Sequence, residues 1–239
     1  MQQATRNRKE QQSWRLAVLI PALDCERTIA TTVQGAKEMV RTVVVVVSDG
    51  STDATAEKAA GAGAEVVRHP TNLGKGAALT SGMGLLAQRG FTHVLTMDGD
   101  GQHLADQIPL LLQTAGEHPH AIVIGARQVA AGETTALKLF GNRFANRWVE
   151  IACGERLPDT QSGFRVYPLQ CTLDLRVRAR RFAFETEVLI RAARANMPIL
   201  SVPVRAHYPP PGERVSHFRP FRDTLRIIFV VLGLIFRLW

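Results

Sequence analysis

Short apolar runs without polar alternation mark the first half of the chain. Residues 16–23, 42–48, 93–98 and 121–127 are rich in β-branched and aliphatic side chains. Strands that are buried on both faces of a parallel sheet have this pattern, whereas strands with one solvated face alternate. The four runs therefore predict strands of a central, mostly parallel sheet.

Helical patterns separate these runs. Asp24 is a candidate cap for the first helix, and Asp53 for a second helix over residues 54–60. A third helix is predicted from about residue 76 to residue 88, with Gly90 ending it. The side chains expected to face the core are Ile29, Val33, Ala36 and Val40 in the first helix and Leu79, Met83 and Leu86 in the third.

The pattern changes after about residue 130. Residues 134–154 look helical, residues 158–168 form a loop that leads into a strand, and residues 184–197 form another helix. Residues 198–209 form a strand whose proline suits the edge of a sheet. Alternating strands and helices predict an α/β fold that binds ligands at the carboxyl ends of its strands.

Three segments are predicted along the chain. Residues 1–14 are polar and basic and form a flexible tail without a visible secretory signal. Residues 15–222 form one domain without internal repeats or a dividing linker. Residues 223–239 form an apolar C-terminal helix.

The apolar part of the C-terminal segment runs from Ile227 to Phe236. Its ten residues are too few to span a bilayer, which takes about 20 helical residues. We expect the segment to dip into one membrane leaflet, with Arg237 and Trp239 at the interface. Docking on a partner subunit is the alternative, so a homo-oligomer stays open.

Composition is that of a soluble globular protein, with 46% apolar and 21% charged residues. The net charge of +8 is less usual, and twelve arginines but no lysine lie between Arg176 and Arg237. Arginine suits bidentate contact with phosphate, so this bias points to phosphate-bearing ligands or an anionic membrane surface, against the alternative of a solvated basic face. Without aromatic interleaving or a known module, nucleic acid is not expected as a partner. Three scattered cysteines indicate a reducing compartment and no structural zinc.

Two carboxylates, Asp98 and Asp100, end the third apolar run, with Gly99 and Gly101 after them. Carboxylates this close are stable when a cation lies between them, and oxygen-only ligation favours Mg²⁺ or Mn²⁺ completed by substrate phosphates. The alternative is a plain polar turn after a strand. A calcium-binding EF-hand loop is excluded, because the sequence lacks further alternating oxygen ligands.

Other candidates also lie at strand ends. Asp49 can accept hydrogen bonds from a nucleobase or a ribose, or simply cap a helix. Lys75 stands between two glycines at a predicted helix start, where free N–H groups and a cation can meet a phosphate. Neither a Walker loop nor a dinucleotide-binding glycine pattern is present. Arg127 ends the fourth run, so all these side chains are expected at one edge of the sheet.

Together, in this order, the motifs resemble the inverting family 2 glycosyltransferases with the GT-A fold, a Rossmann-like, mostly parallel sheet flanked by helices. Within that family the chain is similar to dolichyl-phosphate mannosyltransferases and bacterial polyprenyl-phosphate glycosyltransferases over about residues 15–226. The matching segments are VLIPALDCERTI (18–29), SDGSTDAT (48–55), NLGKGAAL (72–79), MDGDGQH (97–103), IGAR (124–127), DTQSGFRVYP (159–168) and residues 184–204.

The resemblance implies a metal-dependent transferase with a nucleotide-diphosphate sugar donor and a lipid-linked acceptor. It assigns catalysis to Asp100, Asp159, Arg127 and Arg165 and the metal to Asp98 and Asp100. Donor-binding residues are Pro21, Ala22, Asp24, Glu26, Asp49, Lys75, Asp98 and Gly99. Acceptor-binding residues are Gln161, Ser162, Gly163, Arg165, His217 and Arg219.

Some positions depart from the family pattern. Ser48 replaces the first aspartate of the usual DDGS, and Asp24-Cys25-Glu26 stands where an NE pair is usual. The basic loop that often reads GxSK is GERVSHFRP (212–220) here, which leaves the acceptor open. The QxxRW signature of processive synthases is missing, which favours transfer of a single sugar.

The nucleophile decides which groups are needed. A polyprenyl phosphate is already an anion and needs only cations, whereas a hydroxyl acceptor needs a base, for which Asp159 is the candidate. His103 is either structural or close to the metal. A sugar nucleotidylyltransferase is disfavoured because the glycine-rich loop after the first strand is missing, and a nucleotide-sugar-binding protein with an impaired site remains an alternative. The expected location is cytoplasmic, peripheral on the inner face of the membrane.

Overall fold

The computed structural model describes residues 14–128, 149–151, 154, 157–207 and 229–234. The strands are β1 (Leu16–Ala22), β2 (Val44–Asp49), β3 (Glu65–His69), β4 (His93–Thr96), β5 (Ile122–Arg127), β6 (Arg165–Pro168) and β7 (Ile199–Val204). The helices are α1 (Ile29–Met39), α2 (Thr55–Gly61), α3 (Lys75–Gln88), α4 (Ile108–Glu117), α5 (Leu169–Asp174) and α6 (Phe184–Arg194), and a 3₁₀ turn, Ala105–Gln107, precedes α4.

A seven-stranded sheet in the order β3-β2-β1-β4-β6-β5-β7 forms the centre of the fold. All neighbouring pairs are parallel except those of β6, which is antiparallel to both β4 and β5. The predicted α/β class and the four predicted strands are confirmed. β7 lies at the edge, as its Pro203 suggested, because a residue without an N–H can sit where no further strand pairs.

The helix predictions hold for position and buried face but fail for both caps, since the N-cap residue of α2 is Ala54 and not Asp53. Leu79, Met83 and Leu86 of α3 are buried as expected. Asp24 does not cap α1, because the helix starts only at Ile29. Asp24 instead has a positive φ of 44° and accepts a hydrogen bond from the Thr52 N–H at 2.8 Å. Sequence reasoning did not identify β3, α4 or α5 as separate elements.

Two hydrophobic clusters cover the two faces of the sheet. Alternate residues of β1 supply both, since Ala17 and Leu19 face one cluster and Val18 and Ile20 face the other. The first cluster contains α3 and α6, and the second contains α1 and α4. Burial on both faces explains why the strands are continuously apolar.

Residues 229–234 form a helix that packs on the first cluster. Val231 and Leu234 are buried, Phe229 is 69% exposed, and Arg194 of α6 donates a hydrogen bond to the Leu234 carbonyl at 2.8 Å. Part of the apolar C-terminal segment therefore docks on its own domain. Within the described ranges, none of the helices has the length and apolar character needed to cross a bilayer.

Several expectations concern residues outside the described ranges. They are the flexible tail up to residue 13, most of the helix expected at 134–154, and the acceptor candidates His217 and Arg219.

Candidate active site

Lys75 forms the centre of the site. Its ammonium lies 2.5 Å from Asp98 Oδ1 and 2.7 Å from Glu185 Oε1. Burial opposes the charged ammonium, but the two carboxylates raise the pKa of Lys75 above its ordinary value. Burial likewise opposes the Asp98 carboxylate, yet Lys75 lowers the pKa of Asp98 to about 2. The three side chains form one charged unit in which the ammonium is matched by two carboxylates.

Sequence reasoning missed Glu185. The residue lies on α6, about 90 positions after Asp98 in the chain, and its side chain is 3% exposed. The residue lies in the matching segment 184–204, but it was given no role there, because a carboxylate in the first turn of a helix usually interacts with the helix terminus. Only the packing of α6 against α3 brings it to Lys75.

His103 supports Asp98 from the other side. The Asp98 N–H donates to His103 Nδ1 at 3.0 Å, and the imidazole stacks on Phe164. Burial lowers the pKa of His103 to about 4, so the ring is neutral and its Nδ1 is occupied as an acceptor. Of the two roles considered for His103, this geometry supports the structural one.

Asp100 differs from Asp98 in its partners. Among the described residues, no cationic side chain donates a hydrogen bond to its carboxylate. Its oxygens accept hydrogen bonds from the backbone N–H and the side chain of Gln102, at 3.0 and 2.8 Å. Burial and the nearby negative charge of Asp98 raise the pKa of Asp100 to about 6. A carboxylate in this electrostatic environment favours a cation.

The donor set fits a divalent metal that is shared with a phosphate ligand. Asp98 and Asp100 offer oxygens, and the described residues contain no group of three or more metal-binding side chains. Mg²⁺ and Mn²⁺ bind through one or two carboxylates and fill the remaining positions with phosphates and water. These two residues are therefore the ones that can hold the predicted metal.

Arg127 and Asp159 form a bidentate ion pair at the end of β5. Arg127 Nε lies 2.7 Å from Asp159 Oδ2, and Nη2 lies 3.1 Å from Oδ1. Burial raises the pKa of Asp159, but the charge and hydrogen bonds of Arg127 outweigh this effect and keep the pKa below its ordinary value. A carboxylate held in this way is a weaker base than the sequence analysis expected for a hydroxyl acceptor.

The loop around Gly163 lies directly against the charged unit. Its carbonyl accepts a hydrogen bond from Thr96 Oγ1 at 2.7 Å. A Cβ atom on Gly163 would stand 2.6 Å from Asp98 Oδ1 and 2.7 Å from Lys75 Nζ. Ser162 is fully buried, and its hydroxyl accepts from the Phe164 N–H within the loop. Gln161 donates to Thr160 and Thr186.

Arg165 departs from the expected role. It is fully buried and donates to the carbonyls of Ser162, Thr160 and Glu185 and to the Tyr167 hydroxyl. A guanidinium that makes four internal hydrogen bonds is not available to bind an acceptor phosphate. The prediction that Arg165 contacts the acceptor is therefore corrected, and its role is to hold the loop to α6.

Asp49 lies on the opposite side of the strand ends and is also buried. Its oxygens accept from the N–H groups of Leu73 and Gly74 and contact His69 Nδ1 at 2.7 Å. These contacts fold the segment before α3 onto the end of β2. Gly50 allows this approach, since a Cβ there would lie 2.4 Å from the Asn72 nitrogen.

The remaining donor candidates line the ends of β1 and β2. Pro21 and Ala22 are buried at the end of β1, and Gly99 accepts a hydrogen bond from Thr28 at 2.6 Å through its carbonyl. Glu26 faces Lys58 at 3.5 Å. The Ser48 hydroxyl lies 3.0 Å from that of Ser51, so this position is tied into the turn without the usual aspartate.

Replacing Lys75 with methionine should destabilise the fold in a pH-dependent way. The change leaves the Asp98 and Glu185 carboxylates without their cation, which raises the native pKa of Asp98 and costs about 3 kcal/mol at pH 8. A raised carboxylate pKa means that the native state binds more protons than the unfolded chain, so the loss shrinks towards pH 5. The free energy of unfolding, measured with guanidinium chloride at pH 5 and pH 8 without divalent cations, tests this prediction.

The matched control is Lys58→Met, which removes an exposed ammonium paired with Glu26. We expect a change within about 0.5 kcal/mol at either pH. Equal destabilisation by the two variants would contradict the charged unit described for Lys75.

Comparison with known proteins identifies the family. The family described as Glycosyl transferase family 2 matches residues 17–171. Glycosyltransferase AglJ of Haloferax volcanii is 31% identical over 91% of this chain and 70% of its own. Undecaprenyl-phosphate mannosyltransferase of Micrococcus luteus is 30% identical over 67% of this chain and 70% of its own.

Solved structures share the fold. Glucosyl-3-phosphoglycerate synthase from Mycobacterium tuberculosis, in complex with Mn²⁺, UDP and phosphoglyceric acid, has a TM-score of 0.74 and is 20% identical, covering 93% of this chain and 78% of that one. A second structure of that enzyme, with Mg²⁺ and UDP, has a TM-score of 0.71 at 21% identity, covering 93% and 79%. The resemblance to GT-A transferases is thereby confirmed.

Proposed function

This chain belongs to glycosyl transferase family 2, and we propose that it transfers one sugar, with inversion, from a nucleotide-diphosphate sugar to a polyprenyl phosphate. That it is a glycosyltransferase follows from the family and from relatives named for transfer to polyprenyl or dolichyl phosphate. The observation that carries the choice of acceptor is the ion pair between Arg127 and Asp159. It leaves no free carboxylate base at that position.

The donor is proposed to bind across the ends of β1, β2 and β4. Asp24 and Glu26, with the backbone of Pro21, Ala22 and Gly99, would hold the nucleoside, and the DxD pair would meet the diphosphate. Asp49 would instead position the segment before α3, because its oxygens accept from the N–H groups of Leu73 and Gly74. UDP in the structural neighbours supports a nucleoside diphosphate at such a fold. Whether the base is uracil or guanine is decided by the experiment below.

Asp98 and Asp100 are proposed to hold Mg²⁺ or Mn²⁺ together with the donor diphosphate. When bound, the metal neutralises the charge that develops on the leaving nucleoside diphosphate. Lys75 then has a different task from the direct phosphate contact expected from the sequence. It fixes Asp98 in position, because its ammonium is shared by Asp98 and Glu185.

The acceptor phosphate is its own nucleophile. A phosphate monoester is an anion at neutral pH, so in-line attack at the anomeric carbon needs orientation and cations but no proton removal. Arg127 is the described cation closest to this role, and His217 and Arg219 are proposed to assist it. Gly163 lets the loop backbone lie directly against Asp98 and Lys75, because a Cβ atom there would collide with both side chains.

A hydroxyl acceptor is less consistent with the site. It requires a base, and the candidate Asp159 is paired with Arg127 and has a lowered pKa. A binding protein with an impaired site is also disfavoured, because Lys75 and His103 hold Asp98 and Gln102 holds Asp100 in an ordered arrangement.

Transfer should depend on the phosphate of the lipid. The protein is incubated with labelled UDP- and GDP-sugars, Mg²⁺ or Mn²⁺, and vesicles that contain either polyprenyl phosphate or the corresponding polyprenol. We expect label in the organic phase only with the phosphate, since the polyprenol hydroxyl has no base to activate it. EDTA should remove the activity.

Two results would contradict the proposal. Label that appears only in a water-soluble product would exclude a lipid acceptor. Equal labelling of polyprenol and polyprenyl phosphate would show that the hydroxyl is activated and that Asp159 acts as a base.

A further inference from the structure

Four arginines stand together on the segment that connects α5 to α6. Arg176, Arg178, Arg180 and Arg181 are all exposed, and we call them the arginine ridge. Between them, Val177 and Ala179 are half-buried and pack on the first hydrophobic cluster. The exposed arginines alternate with the half-buried residues, so the basic side chains lie in solvent and the apolar side chains lie against the core.

The backbone of the ridge is held in place by hydrogen bonds. The carboxylate of Glu187 accepts from the N–H groups of Arg178 and Ala179, at 3.2 and 2.8 Å. The Arg180 carbonyl accepts from the Ala77 N–H at 2.9 Å. The arginines therefore lie on an ordered segment, which lowers the entropy cost of binding a partner surface.

The ridge carries a concentrated positive charge. In the described part of the chain, none of its four guanidinium groups makes an ion pair, whereas exposed Arg68, Arg89 and Arg205 each pair with a carboxylate. Uncompensated arginines in a row attract a surface of negative charge, and guanidinium groups bind phosphates bidentately.

The ridge also borders the proposed active site. A Cβ atom on Gly74 would lie 2.5 Å from the Arg180 carbonyl, and one on Gly76 would lie 2.4 Å from the Ala179 carbonyl. These two glycines flank Lys75, which contacts Asp98. A surface that docks on the ridge is thus placed beside the strand ends where sugar transfer is proposed.

We propose that the arginine ridge docks on the headgroups of anionic phospholipids and thereby sets the active site against the membrane surface. The inference rests on the proposed function, because a lipid acceptor presents its phosphate at that surface. The helix at 229–234 covers the same hydrophobic cluster and leaves Phe229 exposed, which adds an apolar side chain on this side of the sheet. The ridge lacks the interleaved aromatic side chains that stack on nucleic-acid bases.

Vesicle sedimentation tests the ridge directly. The full chain is mixed, without donor or acceptor, with vesicles containing phosphatidylglycerol or with vesicles of phosphatidylcholine alone. Changing Arg176, Arg178 and Arg180 to glutamine should weaken binding to the anionic vesicles at least about tenfold, because each arginine near such a surface contributes severalfold. The matched control changes Arg41, Arg68 and Arg89 to glutamine, removing the same charge elsewhere, and should bind nearly as the unaltered protein does.

The outcomes separate this proposal from the proposed function. Three results would exclude docking through the ridge. The triple variant would bind anionic vesicles like the unaltered chain, the control variant would lose as much binding, or the unaltered chain would bind neutral vesicles equally well. Turnover is then measured with a water-soluble, short-chain polyprenyl phosphate. We expect the ridge variant to retain this turnover while losing turnover on vesicle-embedded acceptor, and loss of both would contradict a docking role. A chain that transfers no sugar at all would refute the proposed function while leaving the vesicle result valid.

Discussion

Asp100→Asn should lower kcat for nucleoside diphosphate release by about a thousandfold, the upper range for loss of one group that stabilises developing charge. Asp100 is the buried carboxylate whose pKa burial and Asp98 raise to about 6, which marks it as a place for a cation. The amide keeps the shape and can still accept from Gln102, but it carries no charge to hold a divalent metal. Steady-state release of UDP or GDP from the sugar nucleotide at saturating Mn²⁺ measures the effect.

A second readout separates metal binding from a general loss of structure. The affinity for Mn²⁺ in the presence of the nucleoside diphosphate, measured by calorimetry, should be lower in the same variant. Asp106→Asn serves as the control, because this carboxylate is exposed and pairs with Arg205 on the surface. If Asp100→Asn turned over at the unaltered rate, the metal assignment would be wrong.

Gly163→Ala should reduce kcat/KM by about a hundredfold while the protein stays folded. The added methyl group would stand within 2.7 Å of both Asp98 oxygens and of Lys75 Nζ, so the carboxylate and the ammonium must move apart. Displacements of about 1 Å in a catalytic arrangement typically cost about a hundredfold in rate. The backbone of Gly163 is not in the left-handed region, so steric contact is the expected cause.

The control for this substitution lies on α3. Gly84→Ala adds the same methyl group where nothing lies within 4 Å, and it should leave kcat/KM unchanged and slightly stabilise the helix. Thermal unfolding of both variants shows whether each is folded. An active Gly163→Ala enzyme would mean that Asp98 and Lys75 can rearrange without cost to catalysis.

The strand ends could be predicted from sequence because their signals are local. A continuous apolar run such as residues 16–22 needs burial on both faces, and the polar residue that follows it must lie at the edge of the sheet. Parallel strands place such residues at one edge, so the sequence predicts that Asp98, Asp100 and Arg127 lie near each other. In the structure, the charge of Arg127 acts on both carboxylates.

The partners of these side chains could not be predicted. Asp159 and Arg165 have similar motif positions, yet one pairs with Arg127 beside the strand ends and the other is fully buried in four internal hydrogen bonds. Glu185 lies in a matching segment that does not name its partner, and it reaches Lys75 only because α6 packs against α3. The pKa values of Asp100 and His103 depend on burial, which a local pattern does not specify.

By itself, the sequence determined the α/β class, the main strands, the buried faces of the helices and the edge of the sheet at which the candidate site residues lie. These features follow from hydrophobic periodicity and from residues within one or two turns of each other. The tertiary structure alone decided which charges meet, that Lys75 holds Asp98, that Arg127 occupies Asp159, and that the arginine ridge borders the site. Such contacts join residues far apart in the chain, and their energies depend on distance and burial, which exist only once the chain has folded.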